Sequence, residues 1–154
     1  MNKNVAKNNR LMSLTYSSDE VKSLEKKAKK LIDSLTNSFV LEANEFLFEM
    51  QKLLQDASVV EKKERSFIIK NRFFSLAHDL KGQGTTYGYD MITLLSEHIC
   101  DFIRSKSVFS QKEIDLFVLD VEDMQKVLSQ PPHGLSSRLK KEIINRLEKQ
   151  KCLK

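Results

Sequence analysis

Residues 66–84 read SFIIKNRFFSLAHDLKGQG, with apolar side chains at intervals of three and four. The stripe that they form comprises Ile69, Phe73, Leu76 and Leu80. An α-helix advances about 100° per residue, so these four side chains share one face and predict a helix with one buried side. On the same helix His78 lies opposite the stripe, and we therefore expect its imidazole in solvent.

Similar stripes run along the rest of the chain and predict an all-α protein. The expected helices span residues 18–57, 58–86, 89–106, 110–129 and 136–149. Ser18 is the expected N-cap of the first, and capping boxes at Ser58–Glu61 and Ser110–Glu113 are expected to open the second and fourth. The stripe stays in phase across Thr36-Asn37-Ser38, which favours one long first helix over two, although the sequence leaves both open.

Short connections between these helices predict an antiparallel four-helix bundle with an extended N-terminal helix and an extra C-terminal helix. We expect a disordered arm over residues 1–17, the bundle over 18–130, and a C-terminal loop and helix over 131–154. The fourth helix is expected to turn Val118 inward, and the third to turn Leu94 inward. The apolar stripe of residues 21–31 would project beyond the bundle, so we expect the last helix, or a second copy of the chain, to cover it.

Composition narrows the class of protein. The chain has 154 residues, 40% of them hydrophobic, with only 4 glycines and 2 prolines, which fits one helical domain and argues against sandwiches, barrels and Gly-rich nucleotide folds. The net charge of +5 is spread among acidic residues, so nucleic-acid binding is disfavoured. No apolar stretch suits a membrane span or a signal peptide, which predicts a cytoplasmic protein with no membrane partner.

Few other side chains are candidates for a metal ligand or a nucleophile. Cys100 lies in an apolar run and is expected to be a small buried side chain. His98 falls on the inward seam of its helix, and His133 lies in a proline-rich loop. Since the three histidines share no helix face, we expect no metal site.

The face around His78 is unusual for a solvated helix surface. Its other members are Phe67, Asn71, Phe74, Ser75, Lys81, Gly82 and Thr85, with Asp79 to one side. A glycine inside a helix costs about 1 kcal/mol relative to alanine, and Gly82 lies on the outer side, where close approach of a partner explains it better than helix packing. With Lys81 three residues after the imidazole, the pattern is typical of a phosphoryl acceptor.

The run Ala77-His78-Asp79-Leu80-Lys81-Gly82-Gln83-Gly84, followed by Tyr87-Gly88-Tyr89, resembles the histidine-containing phosphotransfer (HPt) domain, and in particular stand-alone bacterial HPt proteins. The similarity covers roughly residues 39–128. It implies phosphorylation on His78, with Lys81 and Gly82 in the family's accessory roles. Asp90 stands where relatives often have proline, which is an acceptable change because Asp is a good N-cap.

The resemblance also implies the partners and the limits of the activity. We expect response-regulator receiver domains, a hybrid histidine kinase, or both, with the Mg²⁺ supplied by the receiver and no cofactor held by this chain. The protein would be a relay in two-component signalling and not an autonomous enzyme, more readily a monomer than a dimer. The docking residues would be Phe67, Asn71, Phe74, Ser75, Asp79 and Thr85. Two alternatives stay open, a degenerate HPt-like bundle that binds without transferring phosphate and a basic helical nucleic-acid-binding protein.

Overall fold

The computed structural model describes residues 16–152, and within that range the chain forms helices and turns and no β-strand. The elements are α1 (Ser18–Val59), α2 (Lys62–Ile68), a π-helical turn (Ile69–Phe73), α3 (Phe74–Gln83), a 3-10 turn (Thr85–Tyr87), α4 (Asp90–Arg104), α5 (Gln111–Leu128) and α6 (Ser137–Lys151). The all-α prediction is confirmed. The predicted disordered arm falls, over residues 1–15, outside the described residues.

The first helix is unbroken over 42 residues, which confirms the prediction of one long helix. Its N-terminal cap lies one residue earlier than predicted. The backbone N–H of Glu20 donates to Ser17 Oγ at 3.2 Å, and the N–H of Ser17 donates to the Glu20 carboxylate at 2.8 Å. This reciprocal pair is a capping box, and it makes Ser17 rather than Ser18 the residue that satisfies the free N–H groups.

The chain divides into two compact units, residues 1–35 and 36–154, and the boundary falls inside α1. In the first unit every described side chain is exposed, including Val21 at 38%, Leu24 at 53% and Leu31 at 61%. The predicted packing of the last helix on this stripe would join the two units, and it stays a prediction. In the second unit the stripe of α6 is buried at Ile143 and Leu147, because α6 finds its partners within that unit.

The predicted capping box at Ser58 is also wrong. Ser58 remains in α1, where its hydroxyl donates to the Gln55 carbonyl at 2.6 Å. Helix α2 starts after Glu61 with no side-chain cap. Arg65 connects the two helices, because its guanidinium donates to the Ala57 carbonyl at 2.7 Å and to the Val60 carbonyl at 3.2 Å. One cation thus satisfies carbonyl groups that the end of α1 leaves unpaired.

Helices α2 and α3 are joined through the π-helical turn without leaving helical geometry. The predicted stripe is confirmed, since its four members, Ile69, Phe73, Leu76 and Leu80, are buried. The helix ends at Gln83, three residues before the predicted end, because residues 85–87 tighten into the 3-10 turn. Gly88 follows with φ of 84°, a left-handed conformation that favours glycine, as expected of a C′ residue.

The core of the second unit is built around Phe117 of α5. Its ring centroid lies 5.3 Å from Phe73, 5.5 Å from Phe102 and 6.0 Å from Phe109. Aromatic pairs at these distances add to the stability that burial of the rings provides. Two residues predicted to face inward do not do so: Val118 and Leu94 lie at the margins of their stripes and are 38% and 37% exposed.

The capping box predicted at the start of α5 is confirmed. The N–H of Ser110 donates to the Glu113 carboxylate, which also pairs with Lys106. Burial raises the pKa of Glu113, but these hydrogen bonds outweigh it and bring the pKa below the ordinary value of 4.5.

None of the helices described between residues 16 and 152 is long and apolar enough to cross a membrane.

Helix α6 is anchored by a charged cluster that it shares with α4 and α5. Ser136 caps it by accepting a hydrogen bond from the Leu139 N–H. Arg146 then pairs with the fully buried Asp120 at 2.7 Å and with Asp123 at 2.8 Å. His98 lies behind Asp120, with its Nδ1 at 3.4 Å from the carboxylate. Asp120 has no exposure to solvent, so Arg146 and His98 take the place of water around its side chain.

We expect Arg146→Ala to lower the free energy of unfolding by about 3–5 kcal/mol, since it leaves a buried carboxylate without its cation. The measurement is urea denaturation followed by circular dichroism. Arg138→Ala is the matched control, because Arg138 is 90% exposed in its pair with Glu142 and should cost about 0.5 kcal/mol or less. Equal losses for the two variants would contradict the assignment of Arg146 as the anchor of α6.

Candidate functional site

His78 lies on the solvent side of α3, as the sequence predicted. Its side chain is exposed, while Ala77 and Leu80 beside it are buried. Among the described residues the imidazole has no hydrogen-bond partner. The imidazole stacks on the ring of Phe74, at 6.0 Å between centroids and 30° between planes. A histidine held this way keeps its ring nitrogens available to a molecule that approaches from solvent.

Lys81 is the cation closest to His78 in sequence on α3. Side chains three residues apart on a helix have Cβ atoms about 5–6 Å apart, so the ammonium group can reach a group carried by the imidazole. In the structure the Lys81 ammonium is instead paired with Glu97 of α4, at 3.1 Å between Nζ and Oε1. Both side chains keep access to solvent, with 32% and 49% exposure, so this ion pair is a weak one.

Gly82 provides the open space that the sequence predicted beside His78. It is exposed, and a Cβ placed on it would meet no atom within 4 Å. Gly84 is the opposite case, since its Cβ would lie 2.6 Å from Thr93 Oγ1, 2.8 Å from the Thr93 nitrogen and 2.9 Å from the Tyr89 carbonyl oxygen. The two glycines therefore have different roles: Gly84 permits packing inside the protein, whereas no internal packing requires Gly82.

Thr93 connects the start of α4 to the end of α3. Its hydroxyl accepts a hydrogen bond from the Thr85 N–H at 2.9 Å and lies 3.4 Å from the Lys81 carbonyl oxygen. The Thr85 hydroxyl, a predicted docking group, also contacts Thr93 Oγ1, at 3.1 Å. Thr85 is therefore exposed but already held within the protein.

The two phenylalanines predicted to flank His78 have different positions. Phe67 is 70% exposed, yet it precedes the π-helical turn, whose smaller rotation per residue shifts Phe67 out of the phase assumed for an ideal α-helix. Phe74 is half-buried against the core, and it carries the Arg104 guanidinium over its ring at 5.1 Å. The ring of Phe74 contacts His78, and the assignment of Phe67 to the same docking surface stays a prediction.

The other predicted docking residues lie in solvent. Ser75 and Asp79 lie beside His78 on α3 and are exposed. Asn71 is exposed as well, within the π-helical turn, where its amide donates to the Phe67 carbonyl at 2.7 Å. We use "the outer face of α3" for the surface made of Phe74, Ser75, His78, Asp79, Lys81 and Gly82.

Sequence reasoning missed the contribution of α4 to this surface. Glu97 and Arg104 contact α3 beside the outer face, through Lys81 and Phe74 respectively, and Thr93 contacts Thr85 in the 3-10 turn that follows α3. Together with Asp101, which pairs with Arg104 at 3.6 Å, they recur at intervals of four, four and three. That spacing marks one face of a helix, so a polar stripe beside the apolar seam of α4 was the available signal.

Other chemically active groups lie away from the outer face of α3. Cys100 is buried, and burial raises the pKa of its thiol, which disfavours the reactive thiolate. His98 is buried beside Asp120, in line with the predicted core position. His133 is exposed in its loop. Over residues 16–152, no group of three or more His, Cys, Asp or Glu side chains is arranged to hold a metal ion.

No family model matches the sequence, and no curated protein or solved structure is significantly similar to it. The outer face of α3 and the motif of residues 77–84 are therefore the features of the protein that indicate a function.

The two glycines offer a matched test of this geometry. We expect Gly84→Ala to destabilise the protein by about 1–3 kcal/mol, because the new methyl group meets the Thr93 and Tyr89 backbones. Gly82→Ala should leave stability unchanged or raise it by up to about 1 kcal/mol, because alanine favours helix and meets open space. Thermal and urea unfolding of both variants provide the measurement. A large loss at Gly82 would show that this glycine also serves internal packing.

The phenylalanines provide a second test, with three burial levels along one helical segment. Phe73 is fully buried, and Phe73→Ala should cost about 3–5 kcal/mol. Phe67→Ala should cost about 0.5 kcal/mol or less, since the ring is in solvent. Phe74→Ala should fall between the two. If Phe74→Ala cost as much as Phe73→Ala, its ring would belong to the core and not to a surface available for docking.

Proposed function

We propose that this protein is a phosphorelay intermediate of the HPt type, in which His78 accepts a phosphoryl group from the phospho-aspartate of a receiver domain and passes it to another receiver. The observation that carries the proposal is an exposed imidazole with no hydrogen-bond partner among the described residues. Lys81 lies one helical turn away, and Gly82 leaves open space beside it. The same three residues carry the motif by which the chain resembles HPt proteins.

The corresponding architecture is an antiparallel four-helix bundle. We assign its helices to the second half of α1, the segment from α2 to α3, α4 and α5, with α6 as an addition. Contacts at three levels support the pairing of α1 with the following segment: Phe39 stacks on Tyr87 at 4.7 Å, Glu49 pairs with Arg72, and Arg65 bonds Ala57. Partner numbers fall along one element as they rise along the other, as they must for antiparallel neighbours.

In this reaction the chain provides only a nucleophile and a nearby positive charge. One nitrogen of the neutral imidazole attacks the phosphorus of the acyl phosphate. An N–P bond forms, the P–O bond to the aspartate breaks, and the aspartate leaves as a carboxylate with the bonding electron pair. The ring's other N–H proton can then pass to water. Reactions of this kind depend mainly on alignment and on offsetting charge, and Lys81 provides a positive charge at the acceptor.

The rest of the reacting centre would come from the partner. The HPt resemblance assigns the Mg²⁺ and the phosphorylated aspartate to the receiver domain, so the chain acts as substrate and relay and not as an autonomous kinase. Gly82 suits this arrangement because a partner that carries its own reacting groups must come close to the imidazole. Ser75 and Asp79 share one flank of His78 on the helix, and both are exposed to such a partner.

Arg104 and Phe74 extend the proposed docking surface. The half-buried ring offers apolar area, and the guanidinium above it presents a cation toward the solvent side. Receiver domains present acidic residues around their phosphorylation site, so a cation at the edge of the interface would favour association. Phe67 precedes the π-helical turn and Asn71 lies within it, so the change of phase separates Phe67 from the residues around His78.

The direct test is transfer from phosphorylated receiver domains to the purified chain. We expect one or more receivers to label the wild-type protein and none to label His78→Gln, because the amide side chain cannot act as the nucleophile. Label is read on phosphate-affinity gels and located by mass spectrometry under conditions that preserve phosphohistidine.

His133→Gln is the matched control, since it removes a second exposed histidine that lies in the loop before α6. It should be labelled like the wild type. Circular dichroism of both variants shows that the fold is retained. Label that persists on His78→Gln would contradict the proposal, as would a wild-type chain that no receiver labels.

A further inference from the structure

The Lys81–Glu97 ion pair has a consequence for the proposed acceptor. Lys81 is the cation expected to offset the phosphoryl charge, yet with His78 unmodified its ammonium lies 3.1 Å from a carboxylate on the neighbouring helix. The carboxylate carries one negative charge, whereas a phosphoryl group at neutral pH carries between about 1.5 and 2. The same cation is therefore within reach of two anions of different strength.

We infer that Glu97 is a positioning residue that holds Lys81 beside the unmodified His78 and competes for it with the phosphoryl group. This inference rests on the proposed function. In the unmodified state the ion pair restrains a long, flexible side chain next to the imidazole. After phosphorylation, Lys81 divides its time between Glu97 and the phosphoryl oxygens. Glu97 thereby weakens the interaction between Lys81 and the phosphoryl group, which favours onward transfer of that group.

Two structural features make this competition effective. The pair is weak because both side chains are partly in solvent, so the ammonium can leave without the cost of exposing a buried charge. The backbone that carries Glu97 is nevertheless fixed in place, since Thr93, one turn before Glu97 on α4, is held against the end of α3 by its contacts with Thr85 and Gly84. Glu97 is thus held opposite Lys81 whether or not the two are paired.

The test loads His78 chemically and follows the loss of the phosphoryl group. Phosphoramidate is the donor: the imidazole nitrogen bonds to phosphorus, the P–N bond of the donor breaks, and ammonia leaves. After donor removal, the half-life of phosphohistidine on the full chain is measured on phosphate-affinity gels. We expect Glu97→Gln to lengthen it about two- to fivefold, the range that a weak exposed ion pair can supply, and Lys81→Ala to shorten it.

The decisive variant combines the two changes. If Glu97 acts through Lys81, then Glu97→Gln has no effect on the half-life in a Lys81→Ala background, as a double-mutant cycle would show. Glu142→Gln is the matched control, because it breaks an exposed ion pair with Arg138 on α6, and it should behave as the wild type.

The outcomes separate this inference from the proposed function. A wild-type chain that takes no label at His78 overturns the proposed function, and the role of Glu97 falls with it. Labelled chains whose half-lives are equal for wild type and Glu97→Gln overturn the role of Glu97 alone. An effect of Glu97→Gln that persists without Lys81 does the same, since the carboxylate would then act by another route.

Discussion

Contact between the end of α3 and the start of α4 fixes the geometry of the candidate site. Gly84 approaches Thr93 so closely that an added Cβ would lie 2.8 Å from the Thr93 backbone nitrogen. Two helices in such contact cannot slide past each other, so the register along the rest of the seam follows: Glu97 comes to lie opposite Lys81, and Arg104 over Phe74. A buried glycine with no chemistry of its own thus determines which charges surround His78.

His78 and His98 have different roles because their surroundings differ. His78 stands in solvent with no hydrogen bond among the described residues, whereas His98 is buried beside Asp120 and the Arg146 guanidinium. The first can meet a reactant, and the second can only support its neighbours. Charge is distributed accordingly: ion pairs near His78 are weak and exposed, and those that hold α6 are buried, where the loss of one partner is costly.

The sequence predicted the helices, the buried stripe of α3, the exposure of His78 and the open space at Gly82, because these depend on periodicity within one helix. Its errors have a common physical origin. The π-helical turn adds a local change of phase that moves Phe67. Ser58 stays inside α1 and does not cap the next helix, while Arg65 donates to carbonyls at the end of α1. Glu97 and Arg104 went unrecognised because their role exists only across a helix pair, and periodicity says which face they share but not what that face meets.

The long first helix leads to a different kind of consequence. Residues 36–59 have buried positions from Thr36 to Ala57, while each described side chain before residue 36 is exposed. A helical segment with its side chains exposed depends mainly on backbone hydrogen bonds and capping, which in water give only marginal stability. Backbone amides in the same continuous helix should therefore exchange with deuterium at very different rates, slowly after Thr36 and quickly before it. The helix has one geometry but two local stabilities.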